Sequence, residues 1–197
     1  MIAATRALSV VLVPLLFGLT RVPQQPVEKH AAKPERAEGT LRAKYLITVT
    51  DDFVVDVYHN GRSVPDSKRA VVEETYGATA ERMDIEVHRG DWLVFHIVSN
   101  RMRWGGVCYF GMAGCFAENE FGFVSSLEDG LWSSCDTAGD AEKFITKRTY
   151  FEDHPAQRIA QPWSSGTPLM QRFAGATWHG DPLWGSSRST YVKVLVE

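Results

Sequence analysis

One run of seven residues, Trp92 to Val98 (WLVFHIV), restricts the architectures open to this chain more than any other feature. It is apolar at odd and even positions alike and follows an Arg89-Gly90-Asp91 turn signal. A run of this length and composition suits a central strand packed on both sides. Such a strand needs neighbours, and the sequence supplies them. Lys44 to Thr50 (KYLITVT) and Phe53 to Tyr58 (FVVDVY) are β-branched and aromatic. In the second of these, Phe53, Val55 and Val57 point one way and Val54, Asp56 and Tyr58 the other. His59-Asn60-Gly61-Arg62 then carries Asn-Gly, whose residues tolerate the positive φ of a tight hairpin. Met83 to His88 (MDIEVH) alternates, with Met83, Ile85 and Val87 expected inward. Val107 to Met112 and Thr190 to Val196 are further strand candidates.

Between Gly114 and Gly175 the texture changes: Gly, Ser, Asp and Pro are frequent and periodicity is weak. Short helices are expected near Ser67 to Thr75 and near Ala138 to Thr146. Many strands, few helices and long decorated loops predict a mostly β chain. The expected form is an antiparallel β-sandwich, a jelly roll, with one or two short helices.

The ends bear on where the chain works. Arg6 precedes an apolar stretch of 13 residues, Ala7 to Leu19, long enough for export but short of the roughly 20 residues that span a bilayer. Residues 1–20 therefore read as a signal peptide. No good small-x-small cleavage site follows, Gly18-Leu19-Thr20 being the nearest, so an uncleaved anchor is the alternative. Residues 21–39 are rich in Pro and charge and contain no aromatic, which leaves too little apolar surface to offset chain entropy. They read as a disordered linker before a domain spanning 40–197. The expected location is secreted, periplasmic or cell surface, with no membrane span after signal removal.

Removing Arg6 with the leader leaves 20 basic against 24 acidic residues. A mildly acidic chain without a basic stripe is poor material for phosphate backbones, so nucleic acid is not an expected partner. Three cysteines, Cys108, Cys115 and Cys135, are spaced wrongly for a structural zinc site. Cys115 and Cys135 are the candidate disulfide; the alternative is three small buried hydrophobes. No metal or cofactor is expected. Structural calcium is the one exception weighed, with Asp51, Asp52, Asp129, Asp136 and Asp140 as oxygen donors.

The stretch Thr48 to Val64 (TVTDDFVVDVYHNGRSV) resembles the Asp-Asp … Tyr-x-Asn-Gly-x-x-Val pattern of galactose-binding-like jelly rolls. These include the sugar-binding domains of β-galactosidases and rhamnosidases. Arg89 to Asn100 (RGDWLVFHIVSN) looks like a later strand of that fold, and Gly175 to Val196 like its closing strands. The three islands cover about a third of the domain. The resemblance makes Asn60 and Gly61 structural and implies no activity by itself. Ile85 to Asn100 also looks like a cupredoxin element. Cys108 is followed by Met112 with no His between, so a cupredoxin-like sandwich would lack copper.

Sugars bind through apolar ring faces stacked on aromatics, with Arg, Asn and Asp serving their hydroxyls. Asn100, Arg101, Arg103 and Trp104 have that composition, as do Trp178 and Trp184 in the run WHGDPLW. The plainer alternative packs these indoles in the core or beneath their loops. No nucleophile elbow, metalloprotease helix or phosphate loop occurs, so no catalytic residue is assigned. The expectation is a non-catalytic module that recognises a glycan or envelope polysaccharide. A sandwich docking another secreted protein and a small glycoside hydrolase are the alternatives.

Overall fold

The apolar runs become strands that stack in two sheets. The computed structural model describes residues 39–51, 53–75, 78–99, 108–136, 138–150, 154–155, 157–158, 166–174 and 178–197, all within one compact unit, Arg36–Glu197. The expected signal peptide and all of the expected linker but Gly39 lie outside the described residues. The first strands are β1 (Leu41–Ala43), β2 (Tyr45–Thr50), β3 (Phe53–His59), β4 (Arg62–Ser63) and β5 (Arg69–Thr75). Then come β6 (Ala78–Met83), β7 (Val87–His88), β8 (Trp92–Val98), β9 (Phe110–Ala117) and β10 (Glu120–Val124). The last are β11 (Trp132–Cys135), β12 (His154–Pro155), β13 (Gln157–Arg158), β14 (Leu183–Trp184) and β15 (Ser189–Leu195). Among the described residues there are also two helices, α1 (Ala138–Thr146) and α2 (Gly166–Ala174), and a 3-10 turn at Asp66–Lys68.

The first sheet runs β13-β14-β9-β2-β6-β5, with β10 also paired to β9, and the second runs β12-β11-β15-β8-β3-β4. β1 and β7 form a separate ribbon. The long ladders are all antiparallel. The chain is a mostly β protein with antiparallel sheets packed as a β-sandwich.

Between the sheets, Leu46, Met83, Phe110 and Met112 of the first meet Val57, Leu93, Phe95, Ile97 and Val192 of the second. Phe95 and Phe110 join them directly, with ring centroids 5.1 Å apart. Burying each such side chain stabilises the fold by about 1.5–3 kcal/mol. The outer faces are covered as well. Leu169 and Met170 of α2 cover Ile47, Val49 and Ala113 on the first sheet. Ala141, Phe144 and Ile145 of α1 cover Trp92 and Val94 on the second.

That double cover explains the central run. Leu93, Phe95 and Ile97 face the opposite sheet while Trp92 and Val94 lie under α1. The C-terminal end of α1 is fastened to the sheet, since Trp92 Nε1 donates to Ile145 O at 3.0 Å and Lys193 Nζ to Lys147 O at 3.2 Å. Asn60 and Gly61 adopt φ of 52° and 76°, the positive values their hairpin demands.

Three expectations are corrected. Ser67 to Thr75 is not a helix: Arg69–Thr75 is β5, an edge strand laddered to β6. Its Val71 and Val72 are β-branched, and no buried helical stripe competes with the ladder. Met83 to His88 does not form one strand, because β6 ends at Met83 and β7 begins at Val87; Met83, Ile85 and Val87 are nonetheless all buried. Cys115 and Cys135 are free thiols, as is Cys108. Cys115 packs beneath α2 on the outside of the first sheet and Cys135 beneath α1 on the outside of the second, so the sandwich stands between them.

Candidate functional site

Two turns are brought together because β3 and β8 are antiparallel neighbours, with His59 opposite Leu93. One is Asn60-Gly61; the other is Arg89-Gly90, where Gly90 has φ of 91°. Asp91 ties them. Its Oδ1 accepts from Asn60 Nδ2 at 2.6 Å, and its Oδ2 accepts from the His88 N–H at 2.8 Å and lies 2.9 Å from His59 Nε2. Asn60 Oδ1 in turn accepts from the Trp92 N–H at 3.0 Å. Burial acts to raise the Asp91 carboxyl. Hydrogen bonds from His59, Asn60 and the His88 N–H, with the charge of His59, outweigh it and bring the group down to about 2. An ionised carboxylate only accepts, so His59 donates to it through Nε2.

Asp91 forms the floor of a cleft of about 690 Å³. Asp84, Ile85, Glu86 and His88 form one wall, where Ile85 is buried in the core and Asp84 and Glu86 are exposed. Lys44, Lys68 and Arg89 bring three cations to the rim. Backbone bonds fix these supports: Lys44 N to Cys115 O, Asp84 N to Lys68 O and Arg89 N to Thr40 O, each 2.8 Å.

The acids of the cleft are unequal. Asp91 is engaged by its three donors, and Asp84 accepts from Arg82 Nε at 2.9 Å. Glu86 remains against Lys44, Lys68 and Arg89, none of which makes an ion pair among the described residues. The cleft thus offers cationic side chains and hydrogen-bonding groups side by side. Among the described residues lining it there is no Phe, Tyr or Trp and no hydroxyl or thiol side chain.

The residues expected from sequence are placed otherwise. Trp178 is 8% exposed and directs Nε1 toward Met112 O at 3.4 Å; Trp184 is 4% exposed and donates to Ser187 O at 2.6 Å. Both indoles are core residues, so the stacking face expected of them is replaced by packing. Trp92 and Trp132 are buried too. Asn100, Arg101, Arg103 and Trp104 lie outside the described residues. Phe121 and Phe123 pack against different cores, the first under α2 and the second between the sheets.

Of the acids considered for calcium, Asp51 accepts from Ser99 Oγ, Asp129 from the Leu131 N–H and Asp136 from Ser186. Asp140 lies in α1 and Asp52 outside the described residues. No metal-holding group of acids, His and Cys forms among the described residues.

The cleft escaped the sequence reading because its two turns were read singly. The signal was present in the outward set Asp84, Glu86 and His88, which alternates with the inward Ile85 and Val87. No protein-family model, curated protein or solved structure matches the chain.

Proposed function

We propose that this is an exported recognition module whose cleft is a non-catalytic binding site for an acidic glycan, such as a uronate-bearing envelope polysaccharide. The carrying observation is the cleft itself: Lys44, Lys68 and Arg89 line it without ion pairs among the described residues, beside Glu86 and the hydrogen-bonded Asp91. Carboxylates of a sugar polymer would meet Lys44, Lys68 and Arg89, and ring hydroxyls would meet Glu86 and His59. The sandwich frame is in keeping with the galactose-binding-like resemblance. Recognition here rests on charge and hydrogen bonds, so affinity should fall steeply with salt.

The test is retention of the full chain on immobilised polygalacturonate and on neutral amylose at low and at physiological ionic strength. Retention on the acidic polymer alone, lost in Lys44→Ala/Lys68→Ala/Arg89→Ala, is expected. Equal behaviour on both polymers, or no effect of the triple substitution, would refute the assignment to this cleft.

A further inference from the structure

Three polar side chains on the outer face of the second sheet make a constellation that the cleft does not use. Asp56 of β3, His96 of β8 and Ser189 of β15 come from three adjacent strands. Ser189 Oγ lies 3.0 Å from His96 Nε2, and His96 Nδ1 lies 3.3 Å from Asp56 Oδ2. A carboxylate at Nδ1 fixes that nitrogen as the protonated one, which leaves the Nε2 lone pair facing the serine hydroxyl. The His96 ring is also stacked on Tyr191, with centroids 4.3 Å apart and planes 11° from parallel. Orienting carboxylate, imidazole base and hydroxyl thus stand in the order that activates a serine.

The arrangement depends on an irregularity. Val54 pairs with Ile97 but Asp56, not Val55, pairs with His96, so β3 carries a bulge at Val55. Without that extra residue Val55 would oppose His96, and Asp56 would oppose Phe95 and point its carboxylate into the core. The bulge is held from the other sheet. Arg69 of β5 donates to Val54 O at 2.8 Å and to Val55 O at 3.1 Å, while its Nε bonds Glu81 Oε1 at 2.6 Å. Their side chains are only 10% and 6% exposed. A buried ion pair carries a large desolvation cost, and a bulge forfeits ladder bonds. Here both serve to hold the carboxylate against His96. Arg69 is accordingly a positioning residue.

We propose that Ser189, His96 and Asp56 form a hydrolytic site for carboxylic esters. The serine is exposed on a sheet face, so it can be reached by an ester from solvent. Ser189 Oγ adds to the ester carbonyl carbon as its proton passes to His96 Nε2. The tetrahedral adduct collapses, the bond to the alcohol oxygen breaks, and the alcohol leaves with that proton. Water then attacks the acyl-serine, again through His96, releasing the carboxylic acid and restoring the Ser189 hydroxyl.

The experiment treats the full chain with a fluorophosphonate probe and maps the adduct by mass spectrometry, alongside p-nitrophenyl acetate turnover. Adduct on Ser189, its loss in Ser189→Ala, and a fall in turnover of about 10²-fold or more in His96→Ala are expected. Asp56→Asn should retain the fold and lose most turnover, while Ser63→Ala, an exposed serine of the same sheet, behaves as wild type. Melting curves for each variant separate chemistry from folding. No adduct on Ser189 in the folded chain, or turnover unchanged in Ser189→Ala, would reduce the constellation to a polar cross-strand ladder. Neither result bears on polymer retention by the cleft.

Discussion

Replacing Asp91 by Asn tests the hub beneath the cleft through its dependence on acid. The wild-type carboxyl sits at about 2 against a reference of 3.8. A gap of nearly two pH units corresponds to about 2 kcal/mol of stability from the ionised form. Because the folded-state value is the lower one, that contribution is whole above the reference value and is lost as pH falls through about 2. Asn removes the charge, and one of its two side-chain groups cannot accept from Asn60 or the His88 N–H. At pH 6 Asp91→Asn should therefore be less stable by about 2 kcal/mol. Near pH 2 the wild-type group is half protonated; below that it increasingly resembles the amide, and the two unfolding curves should converge. Urea unfolding followed by tryptophan fluorescence at stepped pH supplies the assay, since Trp92 is adjacent and buried. Curves that stay parallel across the acid range would show that the hydrogen-bonded carboxylate is not what stabilises the two turns.

Further outcomes follow from other parts of the fold. Arg69→Met strands Glu81 beneath β5 and frees the bulge carbonyls; a loss of about 3–5 kcal/mol is expected by urea titration, with partial recovery in Arg69→Met/Glu81→Leu. Gly61→Ala forces a side chain into φ of 76° and brings its Cβ to 3.2 Å from Thr146 Cα. Its cost should be about 1–3 kcal/mol in thermal unfolding. Burial pushes the Cys115 thiol up to about 11, so it should resist a disulfide-exchange reagent until the chain unfolds. Nonreducing peptide maps should contain no Cys115–Cys135 link; finding one would overturn the placement of those strands.

The parts of the fold readable in sequence were those governed by local burial. Trp92 to Val98 announced a strand covered twice because both its faces are apolar, and Asn60-Gly61 announced its turn through backbone freedom. Ala138–Thr146 was expected as a helix and is one. Arg69–Thr75 misled because its fate is decided by β6 and by carbonyls on the other sheet, which no local pattern reveals.

The candidate site was less legible for the same reason. The polar residues around Trp178 suggested hydroxyl recognition, yet Asp181 spends its groups on loop closure: its N–H donates to Ser125 O at 2.7 Å and its Oδ2 accepts from the Leu127 N–H at 3.0 Å. Composition alone does not distinguish a ligand platform from a pegged loop. Nor does it pair Asp56 with His96, since that depends on one inserted residue in β3.

The position of β15 has a consequence for how the protein is made. The last strand in sequence is not at a margin of its sheet; it is inserted between β11 and β8. Until Ser189–Leu195 emerges, β8 lacks one neighbour and the interior of the second sheet has a gap where Val192 and Val194 belong. Cooperative closure of the second sheet therefore waits for Ser189–Leu195 to take its place between β11 and β8.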